Sequence, residues 1–372
     1  MTVQRPARDT RLDLLRGLLQ LQIFASHASG SLIGGWLITA AWGLSDASEQ
    51  FVYLSGFALG SVFTLKARKG GFGAACQDLA HRIGRLHRTH LMLVCGFAAF
   101  VITLDLCVPL PGEARAMGWG WMLDAPWYAL PGAAALLYQP HFMGILPLFL
   151  FCMLGLPLAM YGFEQRGALA LAPALLLYAA VQLWGWHLPA LGGSEVELNP
   201  LAWQLLFLLG AWFGRQALLR GRAIPLRRPL ILLAALIVLF GVWIRAIDHG
   251  LIAGPGFDLE AMMRKQDLAW PRLVHALAVS FLAIVLFRRR DVPLRGVPAQ
   301  ALAAAGRYSL RIFCCGLFLS YGTATLYRMH PDLRVWLELP LIGGGCVLLL
   351  GLAIRFERRQ PAPSPQAMIA PA

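Results

Sequence analysis

Acidic residues are scarce in this chain, and so is charge of either sign. Asp and Glu number 19 against 32 Lys and Arg, and charged residues make up 14% of the 372 positions. Hydrophobic residues reach 58%, so no segment has the composition of a soluble domain, although the length alone would allow several. Gly-rich phosphate loops, HExxH, GxSxG and paired metal-ligand spacings are all absent. P-loop nucleotide chemistry, zinc-protease chemistry, a serine-hydrolase elbow and a metal site therefore lose their usual sequence support. The 7 cysteines form no CxxC pair. Cys95, Cys152, Cys314, Cys315 and Cys346 lie in apolar runs, Cys76 in a polar connection and Cys107 at the end of a run. No structural disulfide is expected from that placement. No internal repeat is evident, which weakens an inverted-repeat transporter reading. A cleavable signal peptide is not expected either, because Arg5, Arg8 and Arg11 lead into an apolar stretch too long for a signal h-region.

What is present is a series of long apolar runs. The pattern predicts an all-α polytopic membrane protein with about ten spans: 14–36, 48–65, 90–110, 143–161, 168–188, 201–218, 229–247, 271–287, 308–327 and 335–354, each near the ~20 residues that cross the hydrocarbon. With the N-terminus inside, 22 of the 32 cations fall in cytoplasmic segments and 7 in outer ones. This asymmetry predicts both termini in the cytoplasm and a bacterial inner-membrane, multi-pass location. Topology accounts for most of the net charge of +13, and the cations are spread over many loops, so a nucleic-acid partner is not expected. Membrane lipids are expected partners, and some cations suit anionic headgroups or a phosphate-bearing ligand.

The predicted organisation is one transmembrane domain over 1–359 and a disordered, Pro/Ala-rich cytoplasmic tail over 360–372. Three outer loops are long, about 111–142, 189–200 and 248–270. They carry Trp119, Trp121, Trp127 and Tyr128, then Glu195, Glu197 and Asn199, then Asp248, His249, Asp258, Glu260 and Asp267. Aromatic and acidic residues together suit a sugar surface, and an interfacial aromatic belt is the plainer reading of the tryptophans.

Three groups could carry chemistry. The first is His27, inside the first apolar run, with Arg16 eleven residues earlier. Eleven steps of about 100° return almost to the starting direction, so the two share a helical stripe, about 16 Å apart along the axis. Ionisable groups on a membrane helix are functional candidates, and His27 suits a general base. The second is GLSDASEQFVYLSG, residues 43–56, where Asp46 and Glu49 can form a capping box or can orient a base. The third is HRIGRLHRTH, residues 81–90, where Arg82, Arg85 and His90 are placed largely along one helical side. Guanidinium groups there suit phosphate, and ordinary positive-inside charge explains them equally well.

The stretch RLDLLRGLLQLQIFASH, followed by GLSDASEQFVYLSGFALG, resembles the OpgC family of membrane proteins that modify osmoregulated periplasmic glucans. RLHRTHLMLV, ILPLFLFCML, NPLAWQLLFLLGAWFG, WPRLVHALAVS and GRYSLRIFCCG extend the resemblance, in order, over about residues 9–320. It implies transfer of succinyl groups from cytoplasmic succinyl-CoA to glucan hydroxyls on the far side. It also implies a relation to the wider membrane acyltransferase-3 group, whose first helix carries an Arg, ten residues and a His, a spacing that Arg16 and His27 match. Two positions depart from the family pattern. An acid often precedes the first-helix His, where Ser26 stands here, and an acid often precedes the ILPL run, where Gly144 stands.

The expected function is therefore membrane O-acyl transfer from an acyl-CoA, succinyl-CoA or acetyl-CoA, to a periplasmic glucan. No permanently bound cofactor is expected. In this reading Arg16, Arg82, Arg85 and His90 bind the donor, His27 is the catalytic base, and Asp46 or Glu49 fixes its tautomer. A covalent acyl-histidine route stays open beside direct attack. Two rivals also stay open: O-acetylation of another envelope polysaccharide, and a transporter or flippase without covalent chemistry.

Overall fold

The computed structural model describes residues 10–108, 112–191, 196–221, 223–254, 256, 258–287 and 296–359. The tail from 360 and Glu195, both named above, lie outside them, as do Arg5, Arg8, Arg222, Arg288, Arg289, Arg290 and Arg295. Among the described residues the chain is helical, with no strand. It divides into two compact units, one formed by residues 42–287 and the other by 10–41 with 296–359.

In the larger unit the longest helix is Ala47–Cys107, with a kink at Gly71 (φ 83°, ψ 166°). Nothing lies within 4 Å of a Cβ built there, so the backbone angle rather than space calls for glycine. Lys66 and Asp78 nevertheless form an ion pair across the kink. On a straight helix, twelve residues would separate their backbones by about 18 Å, beyond the reach of the two side chains. The chain therefore bends sharply at Gly71, and the predicted polar connection between the second and third spans is helix.

The first part of this helix packs against Pro200–Arg220 through glycines on both sides. A Cβ at Gly56 would sit 2.0 Å from the Phe207 carbonyl oxygen, and one at Gly214 would sit 1.9 Å from that of Phe57. Gly56 with Gly60, and Gly210 with Gly214, make two small-xxx-small pairs that let the backbones touch. Ser61 Oγ crosses the contact to donate to the Gly214 carbonyl (2.8 Å). Ile145–Arg166, a 3₁₀ turn over Gly167–Leu171 and Ala172–Trp184 complete this core around Val52, Leu156, Trp203 and Phe207. Arg228–Asp248 and Trp270–Leu286 pack through Ala234, Ala278 and Phe281.

In the smaller unit, Thr10–His27 lies on Val297–Arg307 with backbone contact at Gly17 and Gly306. Their Cβ atoms would fall 1.9 Å from Leu302 O and 1.7 Å from Asp13 O. Phe24 is buried with Ile312 and Leu349, under Ser309–Met329 and Gly344–Arg358. The Phe24 ring takes the space a side chain at Gly345 would need, 2.4 Å from its Cζ.

Each of the ten apolar runs falls on helix, but the span count differs from the expectation. Five helical stretches are long and apolar enough to cross a membrane: Ala47–Cys107, Ile145–Trp184, Arg228–Asp248, Ser309–Met329 and Pro331–Arg358. Part of the difference is continuity, since the first two stretches each contain two of the predicted spans. Part is length, since Leu32–Trp42 and Trp270–Leu286 are shorter apolar helices. The predicted first span, 14–36, is interrupted: its helix stops at His27 and a new one starts at Leu32.

Candidate functional site

His27 is the last residue of its helix and is partly exposed. Its Nδ1 lies 2.7 Å from the carbonyl oxygen of Ile23, one turn back. A carbonyl oxygen can only accept, so this bond requires a proton on Nδ1 and, in the neutral ring, places the lone pair on Nε2. Ser26 Oγ donates to the same carbonyl (2.9 Å) and lies 3.2 Å from Nδ1. The backbone of its own helix thus orients the imidazole. Arg16 is on the same helix and the same stripe, about 16 Å away along the axis.

The turn after His27 is fixed by a residue that the sequence pattern did not single out. Glu338 is buried, and its Oε1 accepts from Ser31 Oγ (2.6 Å) and from the Ile33 backbone N–H (2.7 Å). Ser31 in turn caps Leu32–Trp36, accepting from Gly34 N at 2.7 Å. Gly30 sits between in a left-handed conformation (φ 95°), packed on Tyr327. The break at His27 is therefore built: a left-handed glycine, a serine cap and a carboxylate from 307 residues downstream. Replacing Glu338 by Ala strands the Ser31 and Ile33 donors and should lower stability by about 1–3 kcal/mol. Thermal unfolding of the purified protein reads this, and a wild-type Tm in the Ala variant would show that the carboxylate does not hold the turn.

Asp46 and Glu49 belong to the other unit, and there they form the expected capping box. Asp46 Oδ1 accepts from Ser48 N (2.6 Å) and Glu49 Oε2 from Asp46 N (2.8 Å). Both carboxylates also meet cations that the sequence reading did not assign to the site. Arg272 Nε donates to Glu49 Oε1 at 2.7 Å, and its Nη2 pairs with that oxygen and with Asp46 Oδ2 (3.3 Å). Lys265 Nζ donates to Asp46 Oδ2 (2.8 Å) and Ser48 Oγ (3.1 Å). Burial alone would raise the Asp46 carboxyl, but the Lys265 and Arg272 charges hold it well below the usual carboxylate range. Glu49 is fully buried, and the Arg272 side chain is 9% exposed.

A second buried network adjoins this cluster. His275 Nδ1 accepts from Ser45 N (3.3 Å), with Ser45 Oγ 2.7 Å away, so its proton lies on Nε2. Gln50 Nε2 donates to Ser45 Oγ (3.4 Å) and to the Ala276 carbonyl (3.3 Å), and Ser280 Oγ donates to Gln50 Oε1 (2.6 Å). Gly241 gives His275 its space, since a Cβ there would lie 2.6 Å from Nε2. Arg272 and His275 stand in WPRLVHALAVS, one helical turn apart. Their spacing was the available signal.

The expected donor-binding group does not stay on one side. Arg82 pairs with Asp78 (2.8 Å), and Arg85 is exposed. His90 turns inward, fully buried, with Nε2 at 3.3 Å from the Ala133 carbonyl. The physical reason is angular, because eight residues from Arg82 place His90 roughly 80° around the helix. The position of the second family departure is also filled. Glu197 Oε2 accepts from Gly144 N (3.0 Å), and a Cβ on Gly144 would lie 2.5 Å from that oxygen. Among the described residues no group of three His, Cys, Asp or Glu side chains could hold a metal ion.

Residues 8–360 match the model of the OpgC_C family, described as OpgC protein, so the chain belongs to that family. Comparison with curated proteins and with solved structures returned no match.

Proposed function

We propose that this OpgC-family membrane protein moves an acyl group, succinyl by the family resemblance, from cytoplasmic acyl-CoA to hydroxyls of a periplasmic glucan. In this reading it resides in the bacterial inner membrane with about ten apolar segments in or across the bilayer and both termini inside. Family membership over nearly the whole chain supports glucan modification by a transferase. The kinship of its first helix with the acyltransferase-3 group, through Arg16 and His27, belongs to this proposal.

One observation carries the assignment of the base: the bond from His27 Nδ1 to Ile23 O, which leaves Nε2 as the proton acceptor. Nε2 takes the proton of a glucan hydroxyl as its oxygen adds to the thioester carbonyl. The C–S bond then breaks, the acyl group stays on the glucan oxygen, and the departing CoA sulfur receives the proton from His27. Arg16 starts the stripe that ends at His27, and the guanidinium groups of Arg82 and Arg85 suit the donor's phosphate oxygens. His90, buried against Ala133, takes a packing role beneath them. Asp46 and Glu49, held by Lys265 and Arg272, brace the start of their helix.

Purified protein in lipid, given glucan with isotope-labelled succinyl-CoA or acetyl-CoA, tests this reading. Mass analysis of the glucan should show the succinyl increment with the first donor. An acetyl increment alone would move the assignment to O-acetylation. Unmodified glucan with both donors would sink acyl transfer.

A further inference from the structure

Segments from two of the long connections meet around Glu197. Its Oε2 is fixed by the Gly144 backbone N–H (3.0 Å), and its own N–H donates to Gln139 Oε1 (3.3 Å). Its other oxygen faces His141, with Oε1 3.9 Å from Nδ1. Both side chains are accessible, 48% exposed for His141 and 36% for Glu197. The backbone bends unusually to achieve this. Phe142, buried between His141 and Phe97, is left-handed at φ 74°, a conformation that non-glycine residues rarely adopt. Gly144 must lack a side chain for the carboxylate to reach it, as the 2.5 Å approach requires. The strain and the glycine both serve to bring a histidine and a carboxylate together at an open surface.

The chemistry of the pair selects its ligand. A carboxylate repels phosphate and carboxylate groups, and it accepts well from neutral hydroxyls. The His141 ring nitrogens, the nearer of them 3.9 Å from the carboxylate, can donate to or accept from a further hydroxyl. Exposed aromatic rings stand where the chain leading to Glu197 leaves its helix. Trp186 carries the carbonyl that accepts from Asn199 Nδ2 (2.7 Å), two residues beyond Glu197, and its ring lies 6.1 Å from that of Trp184. A pyranose ring offers a rim of hydroxyls and an apolar face, which this combination fits.

We infer that His141 and Glu197, set in place by Gly144, form a binding subsite for a neutral sugar, engaging the hydroxyls of the acceptor chain. The subsite rests on the proposed function only in taking that sugar to be glucan. The test reads binding without any acyl transfer: calorimetric titration of the protein in lipid nanodiscs with a neutral glucan oligosaccharide. A charge-assisted hydrogen bond to a carboxylate implies that Glu197→Gln weakens binding about tenfold or more. His141→Ala should do likewise. Gly144→Ala should match them by displacing Glu197. Glu197→Gln keeps an acceptor for Gly144 N, so its fold is retained.

Succinate and inorganic phosphate should not compete. Sugar affinity unchanged in both Glu197→Gln and His141→Ala, absent sugar binding in the wild type, or competition by either anion would overturn the subsite. Wild-type protein that binds the sugar through these residues and yet transfers no acyl group would sink the proposed function and leave the subsite standing.

Discussion

His27→Ala should reduce acyl transfer to glucan by about 10²–10⁴-fold, the range a positioned general base supplies, while the protein still folds. The two halves of this expectation have different causes. His27 is partly exposed at a helix end, and its Nδ1 meets Ile23 and Ser26 of its own helix. Its removal opens no core cavity, and Ala is a favourable helix residue. The chemical loss is large because in the proposed mechanism Nε2 is the atom that takes the hydroxyl proton. His27→Gln sharpens the point, since an amide can hydrogen-bond but cannot accept a proton at neutral pH. Both variants should therefore fail alike when labelled acyl groups on glucan are counted against the amount of folded protein. Near-normal transfer by either one would remove His27 from the chemistry.

Breaking the buried ion pair should produce the opposite pattern. Arg272→Met leaves Glu49 fully buried without its guanidinium partner, which costs about 3–5 kcal/mol. The folded yield and the Tm in detergent should fall together. Adding Glu49→Gln should recover part of the loss, because a neutral amide carries a smaller desolvation penalty than an unpaired carboxylate. The pair is coupled, so the double variant should be more stable than the sum of the singles predicts. Asp46 gives the pH sense. Its folded carboxyl is held below the unfolded range, so its contribution is complete above about pH 4 and is lost as pH falls through the lower folded value. A wild-type Tm for Arg272→Met would show that the cluster does not brace the helix start.

Much of this was legible in the sequence, for identifiable reasons. Apolar runs impose helix wherever backbone groups must be satisfied internally, so each predicted run falls on helix. Asp46 and Glu49 announced their capping box through local spacing, which needs no knowledge of tertiary contacts. Long-range partners carry no such signal. Arg272 and Lys265 lie more than 200 residues from the acids they pair with, and Glu338 lies 307 residues from Ser31. The helix end at His27 was missed because it depends on Gly30, Ser31 and that distant carboxylate acting together, inside a stretch whose hydropathy reads as continuous. His90 was misplaced by treating an 80° offset as one side of a helix. Gly71 lay inside what read as a polar connection, where its bend between two helices was invisible.

Sealed vesicles test the central claim most directly. With glucan trapped inside and labelled succinyl-CoA outside, protein oriented with its termini outward should place labelled succinyl groups on the internal glucan, and His27→Ala protein should not. Label that stays off the trapped glucan when donor and acceptor lie on opposite sides, or equal labelling by the His27→Ala protein, would contradict the account.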